Sequence, residues 1–273
     1  MSYYTATVLD TTGIQDYIFG SNRLRENIGA SFLVEQATEE WVKEALRDLG
    51  TELNQAIHIP KHNSLSAKPY IEEDKLAAEL VYAGGGNTVL LFACPKYAER
   101  FTQILSKRVL EKAPGLNLVV AHKAFDWDEF GSLKRTVAHL LEKDLARKKR
   151  ERVPSAPLLG LGVTAVCTST QLPAINTSDE YLDADEEDHY LISREVEAKL
   201  EAVKPPNKAV KSANEALREK FAGAFNQDTY EFPYRTDQLG RSEGDSSYVA
   251  VVHADGNGMG ERFRKQGEAK PNR

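Results

Sequence analysis

The sequence has few of the residues that mark several large classes of protein. It contains two cysteines in 273 residues, Cys94 and Cys167, which provide neither a disulfide framework nor the paired spacing of a zinc site. No apolar run approaches the roughly 20 residues that a membrane helix needs. The N-terminus has no basic region followed by an apolar one, so it has no secretory signal. We therefore expect a cytoplasmic protein without a membrane partner.

Strong charge of one sign is also missing. The formal net charge is −6 and the pI is about 5.6, so the bulk electrostatics do not favour nucleic acid as a partner. Hydrophobic residues make up 41% of the chain and charged residues 28%. These values are typical of a globular protein with a sizeable core.

Two similar segments lie about 240 residues apart, at 7–19 and 248–260. Each is a short apolar strand that ends in Asp, followed by a glycine turn and a helix-like stretch. An acid at the end of a buried strand beside such a turn is where α/β folds place metal and phosphate chemistry. The chain is therefore predicted to contain one complete domain and the opening of a second.

The apolar pattern of the first 130 residues predicts an α+β domain. Strands are expected at 4–10, 78–83, 88–94 and 116–121, in one antiparallel sheet with two helices on one face. The first helical region, 14–49, is expected to break at 27–31 and to stop at Gly50. The second helix begins at Pro95. The resulting βαββαβ order is that of a ferredoxin-like sheet.

The middle of the chain reads as a mostly helical segment. A charged helix is predicted over 131–152, a strand-like run over 158–166, and helix from Leu191 to about Phe225 with an interruption at the two prolines 205 and 206. Residues 226–246 are polar and rich in turn residues, which suits a linker. A new strand, 248–254, follows.

The tip of the predicted hairpin consists of Gly84, Gly85, Gly86 and Asn87. In catalytic palm domains this tip carries acids that hold magnesium with the acid on the first strand. Gly86 and Asn87 cannot supply a carboxylate. Two interpretations stay open: a turn selected for its backbone angles, or a site that contacts a nucleotide through backbone amides.

The second glycine-rich turn runs from Asp255 through Gly256, Asn257, Gly258 and Met259 to Gly260. It does not fit a calcium loop, because Met and Gln occupy two of the ligand positions. It is either an ordinary strand-to-helix turn or a magnesium-nucleotide site, in which Asp255 binds the metal and the glycine backbone approaches the phosphates.

Three further features have competing interpretations. Asp10, at the end of the first strand, is expected to cap the helix that begins at Ile14 rather than to bind metal. Arg23, Arg25 and the basic run 147–152 either contact phosphates or lie on solvated helix faces. The acidic stretch 179–188 is interpreted as a surface loop rather than a metal cluster.

The two turns resemble a known family, the large subunit of type III CRISPR effectors. Gly13-Ile-Gln-Asp-Tyr-Ile-Phe19, followed by Arg23-Leu-Arg25 and Gly29-Ala-Ser31, looks like the opening of that family's first palm domain. Asp255-Gly-Asn-Gly-Met-Gly260 looks like the opening of its second palm. The resemblance implies a degenerate first palm at 1–130, a helical insert and linker at 131–245, and the beginning of a second palm at 246–273.

The resemblance also implies a function. Family members are similar to nucleotidyl cyclases and polymerases, and their second palm converts ATP into cyclic oligoadenylate when the complex senses target RNA. The chemistry uses two magnesium ions, held by the opening acid and a later Gly-Gly-Asp-Asp hairpin. The implied cofactors are Mg²⁺ and ATP, and the implied partners are other CRISPR effector subunits and guide or target RNA.

The sequence departs from the family pattern at several points. Asp255 is the only magnesium ligand carried over, and the zinc cysteines are represented by Cys167 alone. The family's nuclease domain does not precede the first palm, and the chain ends within the expected first helix of the second palm, so we expect a truncated relative that is inactive alone. A Gly-Gly-Asp-Asp hairpin is expected about 60–100 codons further on. A non-catalytic RNA–protein scaffold and a stand-alone nucleotide sensor remain alternatives.

Overall fold

The computed structural model describes residues 3–60, 70–129, 131–151, 162–182, 189–207, 209–224 and 232–234. The elements up to the end of the main sheet are β1 (Tyr3–Thr12), α1 (Ile14–Phe19), α2 (Leu24–Thr38), α3 (Glu40–Leu53), β2 (Ile57–His58), α4 (Ile71–Asp74), β3 (Ala78–Gly84), β4 (Asn87–Phe92), α5 (Pro95–Lys112) and β5 (Asn117–Asp126). The elements that follow are α6 (Ser132–His139), a π-helical turn (Leu140–Asp144), α7 (Leu145–Glu151), β6 (Asn176–Thr177), β7 (Leu191–Ile192), α8 (Arg194–Val203) and α9 (Ala213–Lys220).

The main sheet has the strand order β2-β3-β4-β1-β5. Strand β1 lies in the centre, antiparallel to both β4 and β5, and β3 pairs antiparallel with β4. The order β5-β1-β4-β3 with its intervening helices is the ferredoxin-like arrangement, so the predicted fold is confirmed. The two-residue strand β2 adds a parallel edge that the sequence pattern did not predict.

Alternating residues of β1 point into two apolar cores, one on each face of the sheet. Leu9 faces the larger core, which α2, α3 and α5 cover with side chains such as Leu46 and Phe101. Ala6 and Val8 face a second core, which Leu140 and Leu145 close from the helix that follows β5. Helices therefore lie on both faces, and the predicted pair on one face is supplied by α2–α3 and α5.

The predicted break at 27–31 is wrong, because α2 runs straight through it. Gly29 lies in the middle of α2 where that helix crosses α8, and a Cβ built on Gly29 would lie 1.8 Å from the backbone oxygen of Lys199. The glycine therefore allows close helix packing and does not interrupt the helix. The chain breaks instead between α1 and α2, and again at Glu39.

The predicted stop at Gly50 is also wrong. Helix α3 continues to Leu53 and ends at Asn54, which has a left-handed backbone with φ 51°. Asparagine is one of the few residues other than glycine that adopts this conformation readily at a helix end.

The middle segment is largely as predicted where it is described. The charged helix at 131–152 appears as α6, the π-helical turn and α7, and the helical region after Leu191 appears as α8 and α9 on either side of the prolines. The predicted strand at 158–166 lies partly outside the described residues, and within them Val166 forms only an isolated bridge to Pro173. Among the described residues no helix is both long and apolar enough to cross a membrane.

Candidate functional site

The hairpin tip is a two-residue turn formed by Gly85 and Gly86. Their φ angles are +59° and +85°. Positive φ at both central residues is what a type I′ turn requires, and this turn matches the twist of the flanking strands. The backbone interpretation of the tip is therefore sufficient to explain why both residues are glycine.

The tip lies against the end of β1. The backbone N–H of Thr11 donates to the carbonyl oxygen of Gly86 at 3.3 Å, and the Thr11 hydroxyl approaches the same oxygen at 3.4 Å. A Cβ on Gly86 would lie 3.1 Å from the Thr11 hydroxyl oxygen and 3.4 Å from Ile14 Cδ1. The structure thus brings the tip and the first strand end together, as the palm arrangement requires.

Asp10 lies directly opposite Asn87 in the β1–β4 register. The two residues occupy neighbouring places where a catalytic palm would have acids. The Asp10 carboxylate accepts a hydrogen bond from the Lys149 ammonium at 2.5 Å, so α7 supplies its counter-charge.

The predicted capping role of Asp10 is therefore wrong. The residue that precedes α1 is Gly13, with φ 70°, and no side chain caps that helix. Asp10 lies three residues earlier, inside β1, where it pairs with Asn87 on one side and Val119 on the other.

The described part of the site does not fit magnesium. At the paired positions Asp10 and Asn87, one carboxylate, already neutralised by an ammonium, and one amide provide fewer anionic oxygens than a Mg²⁺ site uses. Within the described ranges no group of three or more His, Cys, Asp or Glu side chains is arranged to hold a metal ion.

A carboxylic acid that the sequence pattern did not indicate lies beside the tip. A Cβ on Gly84 would lie 3.7 Å from Glu39 Oε1 and 3.2 Å from the Tyr82 hydroxyl. Burial, together with the neighbouring charge of Glu35, raises the pKa of Glu39, although Lys43 and Lys220 act in the opposite direction. Glu39 is the residue at the break between α2 and α3, and only the long-range fold places it near the hairpin.

The arginines of the first motif have internal partners. Arg25 is 6% exposed and donates to the Tyr181 carbonyl oxygen at 2.6 Å. The guanidinium of Arg23 lies 3.6 Å from the ring centroid of Tyr190. Burial and the carboxylate of Glu26 raise the pKa of Tyr190. Both arginines therefore attach α2 to the segment that follows α7, and the buried one is not available to phosphates.

Cys167 lies in a third apolar cluster. It is fully buried among Tyr181, Tyr190, Ile192 and Leu200. Both cysteines of the chain are free thiols.

The second glycine turn lies outside the described residues. This applies to Asp255, Gly256, Asn257, Gly258, Met259 and Gly260, and to the strand expected before them. The roles of Asp255 as a metal ligand and of the glycine backbone as a phosphate site stay predictions.

No protein-family model and no curated protein matches the chain. Solved structures that are similar include the crystal structures of the Csm1–Csm4 cassette in complex with cA4, in complex with cA3, and in the apo state. The identity is 19% with TM-score 0.39 for the first two and 18% with TM-score 0.36 for the third.

These matches cover 55% of this chain. The chain in turn spans about a fifth of the length of those structures, 19% for the two complexes and 20% for the apo state.

Proposed function

We propose that this chain is a palm-domain protein of the type III CRISPR large-subunit kind, which binds ATP between its first palm and the turn at Asp255. The observation that carries the proposal is the contact between the Gly85-Gly86 tip and the end of β1, in a sheet of ferredoxin-like order. The first motif, Gly13 to Phe19, lies directly after that strand end. The second motif supplies the acid that the first palm lacks.

In this proposal the first palm binds but does not catalyse. Asn87 replaces an acid, and Lys149 neutralises Asp10 in place of a metal ion. The tip contributes a backbone surface without side chains at Gly84 and Gly85, whereas Gly86 is buried against Thr11 and Ile14 and holds the tip on β1. Such a surface allows a ligand to approach main-chain groups closely.

Magnesium would be held by Asp255, where it would neutralise part of the phosphate charge. The glycines after Asp255 would leave room for a triphosphate against backbone amides. Synthesis of cyclic oligoadenylate in antiviral defence, and assembly with other CRISPR subunits and guide or target RNA, belong to this proposal for the intact protein.

The proposal is tested by ATP binding to the product of the complete gene, with and without magnesium. Asp255→Asn keeps the size of the side chain and removes its charge, so we expect it to abolish the magnesium-dependent part of the affinity. Unchanged affinity would show that Asp255 is only a turn residue.

The ion pair between Lys149 and Asp10 also favours a second candidate, a non-catalytic scaffold for an RNA–protein complex. Co-isolation with guide RNA in the absence of ATP binding would favour the scaffold. ATP binding without RNA partners would favour a stand-alone nucleotide sensor.

A further inference from the structure

The helical segment after β5, which comprises α6, the π-helical turn and α7, carries an unusual concentration of positive charge for an acidic protein. Residues 143–150 contain five basic side chains and one acidic side chain, whereas the whole chain has a net charge of −6. The structure divides the five into two groups with different environments.

Two of the basic residues hold the helix on the sheet. Lys149 pairs with Asp10 of β1, and Lys148 donates to the Val120 carbonyl oxygen of the edge strand β5 at 2.7 Å. Leu140 and Leu145, both almost fully buried, add apolar contacts in the second core. These four contacts fix the rotation of the helix about its axis.

The other three basic residues, Lys143, Arg147 and Arg150, are exposed. At 3.6 residues per turn Arg147 and Arg150 lie about 200° and about 140° around α7 from Leu145, which faces the core. Lys143 lies in the π-helical turn directly before α7. The side chain of Arg147 is 59% exposed even though it lies 3.5 Å from Asp144. The three residues form an outward-facing row, which we call the basic row.

We propose that the basic row, Lys143, Arg147 and Arg150, binds the phosphodiester backbone of a nucleic acid. Arg147 and Arg150 are separated by about 4.5 Å along the axis of α7, and Lys143 extends the row at the end of the preceding π-helical turn. Arginine and lysine side chains are the groups that neutralise phosphates in such complexes.

Charge complementarity favours a nucleic acid over a membrane surface. Helices that lie on membranes expose Trp, Phe or Leu beside their basic face. Here Leu140 and Leu145 are buried in the core, so they cannot enter a bilayer. Leu141 is 43% exposed, but it lies four residues before Leu145 on the same side of the helix, away from the basic row. Residues 143–150 also contain no aromatic side chain on which a base could stack, so the binding is independent of sequence.

The test measures binding of the purified chain to a labelled oligouridine of about 20 nucleotides by fluorescence anisotropy over a range of salt concentrations. Three phosphate contacts predict that the logarithm of the affinity falls with the logarithm of salt with a slope of about −2. The variant Lys143→Gln/Arg147→Gln/Arg150→Gln should lose that slope, and oligothymidine should behave as oligouridine does.

A matched control removes the same charge elsewhere. Arg47, Lys96 and Lys107 are exposed on α3 and α5, on the opposite face of the sheet. Their triple substitution by Gln should keep the slope. Circular dichroism checks that both variants are folded.

Three results would overturn the proposal. They are equal loss of affinity in both triple variants, absence of wild-type binding at about 50 mM salt, and an effect of the basic row on phosphatidylserine vesicles but not on oligouridine. The basic row does not include any residue of the proposed nucleotide site, so the Gln variant should bind ATP as the wild type does. Loss of nucleic-acid binding and loss of ATP binding are therefore distinguished by separate measurements.

Discussion

Gly29→Ala tests the packing of α2 on α8, which joins the palm to the segment after it. The added methyl group would lie 1.8 Å from the backbone oxygen of Lys199 and 2.7 Å from its carbonyl carbon. A backbone atom cannot rotate away, so the two helices must separate by more than 1 Å. Overpacking of this kind costs about 1–3 kcal/mol, and we expect the upper end because the obstacle is main chain.

A gain in helix propensity opposes this cost. Alanine is favoured over glycine inside a helix by about 1 kcal/mol. The separation would also lengthen the hydrogen bond that the buried Lys199 ammonium donates to the Tyr17 carbonyl oxygen, which is 2.8 Å in the wild-type structure. The net expectation is a loss of about 2 kcal/mol in the free energy of unfolding.

Thermal unfolding followed by circular dichroism measures the effect. A loss of this size corresponds to a fall in Tm of about 4–8 °C. Gly162→Ala is the control, since a Cβ on Gly162 meets no atom within 4 Å. If Gly29→Ala unfolds at the wild-type temperature or above it, propensity outweighs packing and the close crossing of α2 and α8 is refuted.

Three further predictions concern the tip, the first strand and pH. Gly86→Ala should lower the free energy of unfolding in urea by about 1–2 kcal/mol, because it places a Cβ at φ +85° beside Thr11. Gly85→Asn should leave it nearly unchanged, because asparagine adopts a left-handed backbone readily. Equal losses in the two variants would contradict the type I′ turn. Lys149→Ala should cost no more than about 1 kcal/mol, since the ion pair with Asp10 is partly exposed, and a much larger loss would contradict this. Burial and, second, the charge of Lys148 lower the pKa of His122 below 6.5. The contribution of this residue to stability is therefore complete above pH 6.5 and is lost as the pH falls toward the pKa of the folded protein. The free energy of unfolding of His122→Gln in urea should depend less on pH than that of the wild type, and an unchanged dependence would contradict the assignment.

The sheet was predictable because its signals are local. Apolar runs at 78–83 and 88–94 flank a glycine turn, and the turn type follows from residues that adopt positive φ. The strand order then follows from the βαββαβ sequence of elements. The structure extends the first strand to Thr12 and the last to Asp126, but it does not change their pairing.

The details of the candidate site depend on contacts that no local pattern encodes. Lys149 and Asp10 are 139 positions apart, and only the return of α7 over the second face brings them together. The same holds for Gly29, whose local signal indicates a helix break. Its partner is the backbone of Lys199, and the pattern of α2 alone does not contain that residue.

The most direct test of the account compares Asp10→Asn with Asp255→Asn for magnesium-dependent ATP binding by the product of the complete gene. Both substitutions remove one carboxylate charge and keep the side-chain size. The account predicts that Asp10→Asn binds as the wild type does, because Lys149 already neutralises that carboxylate, and that Asp255→Asn loses the magnesium dependence. Loss of magnesium dependence in Asp10→Asn with normal binding in Asp255→Asn would contradict it.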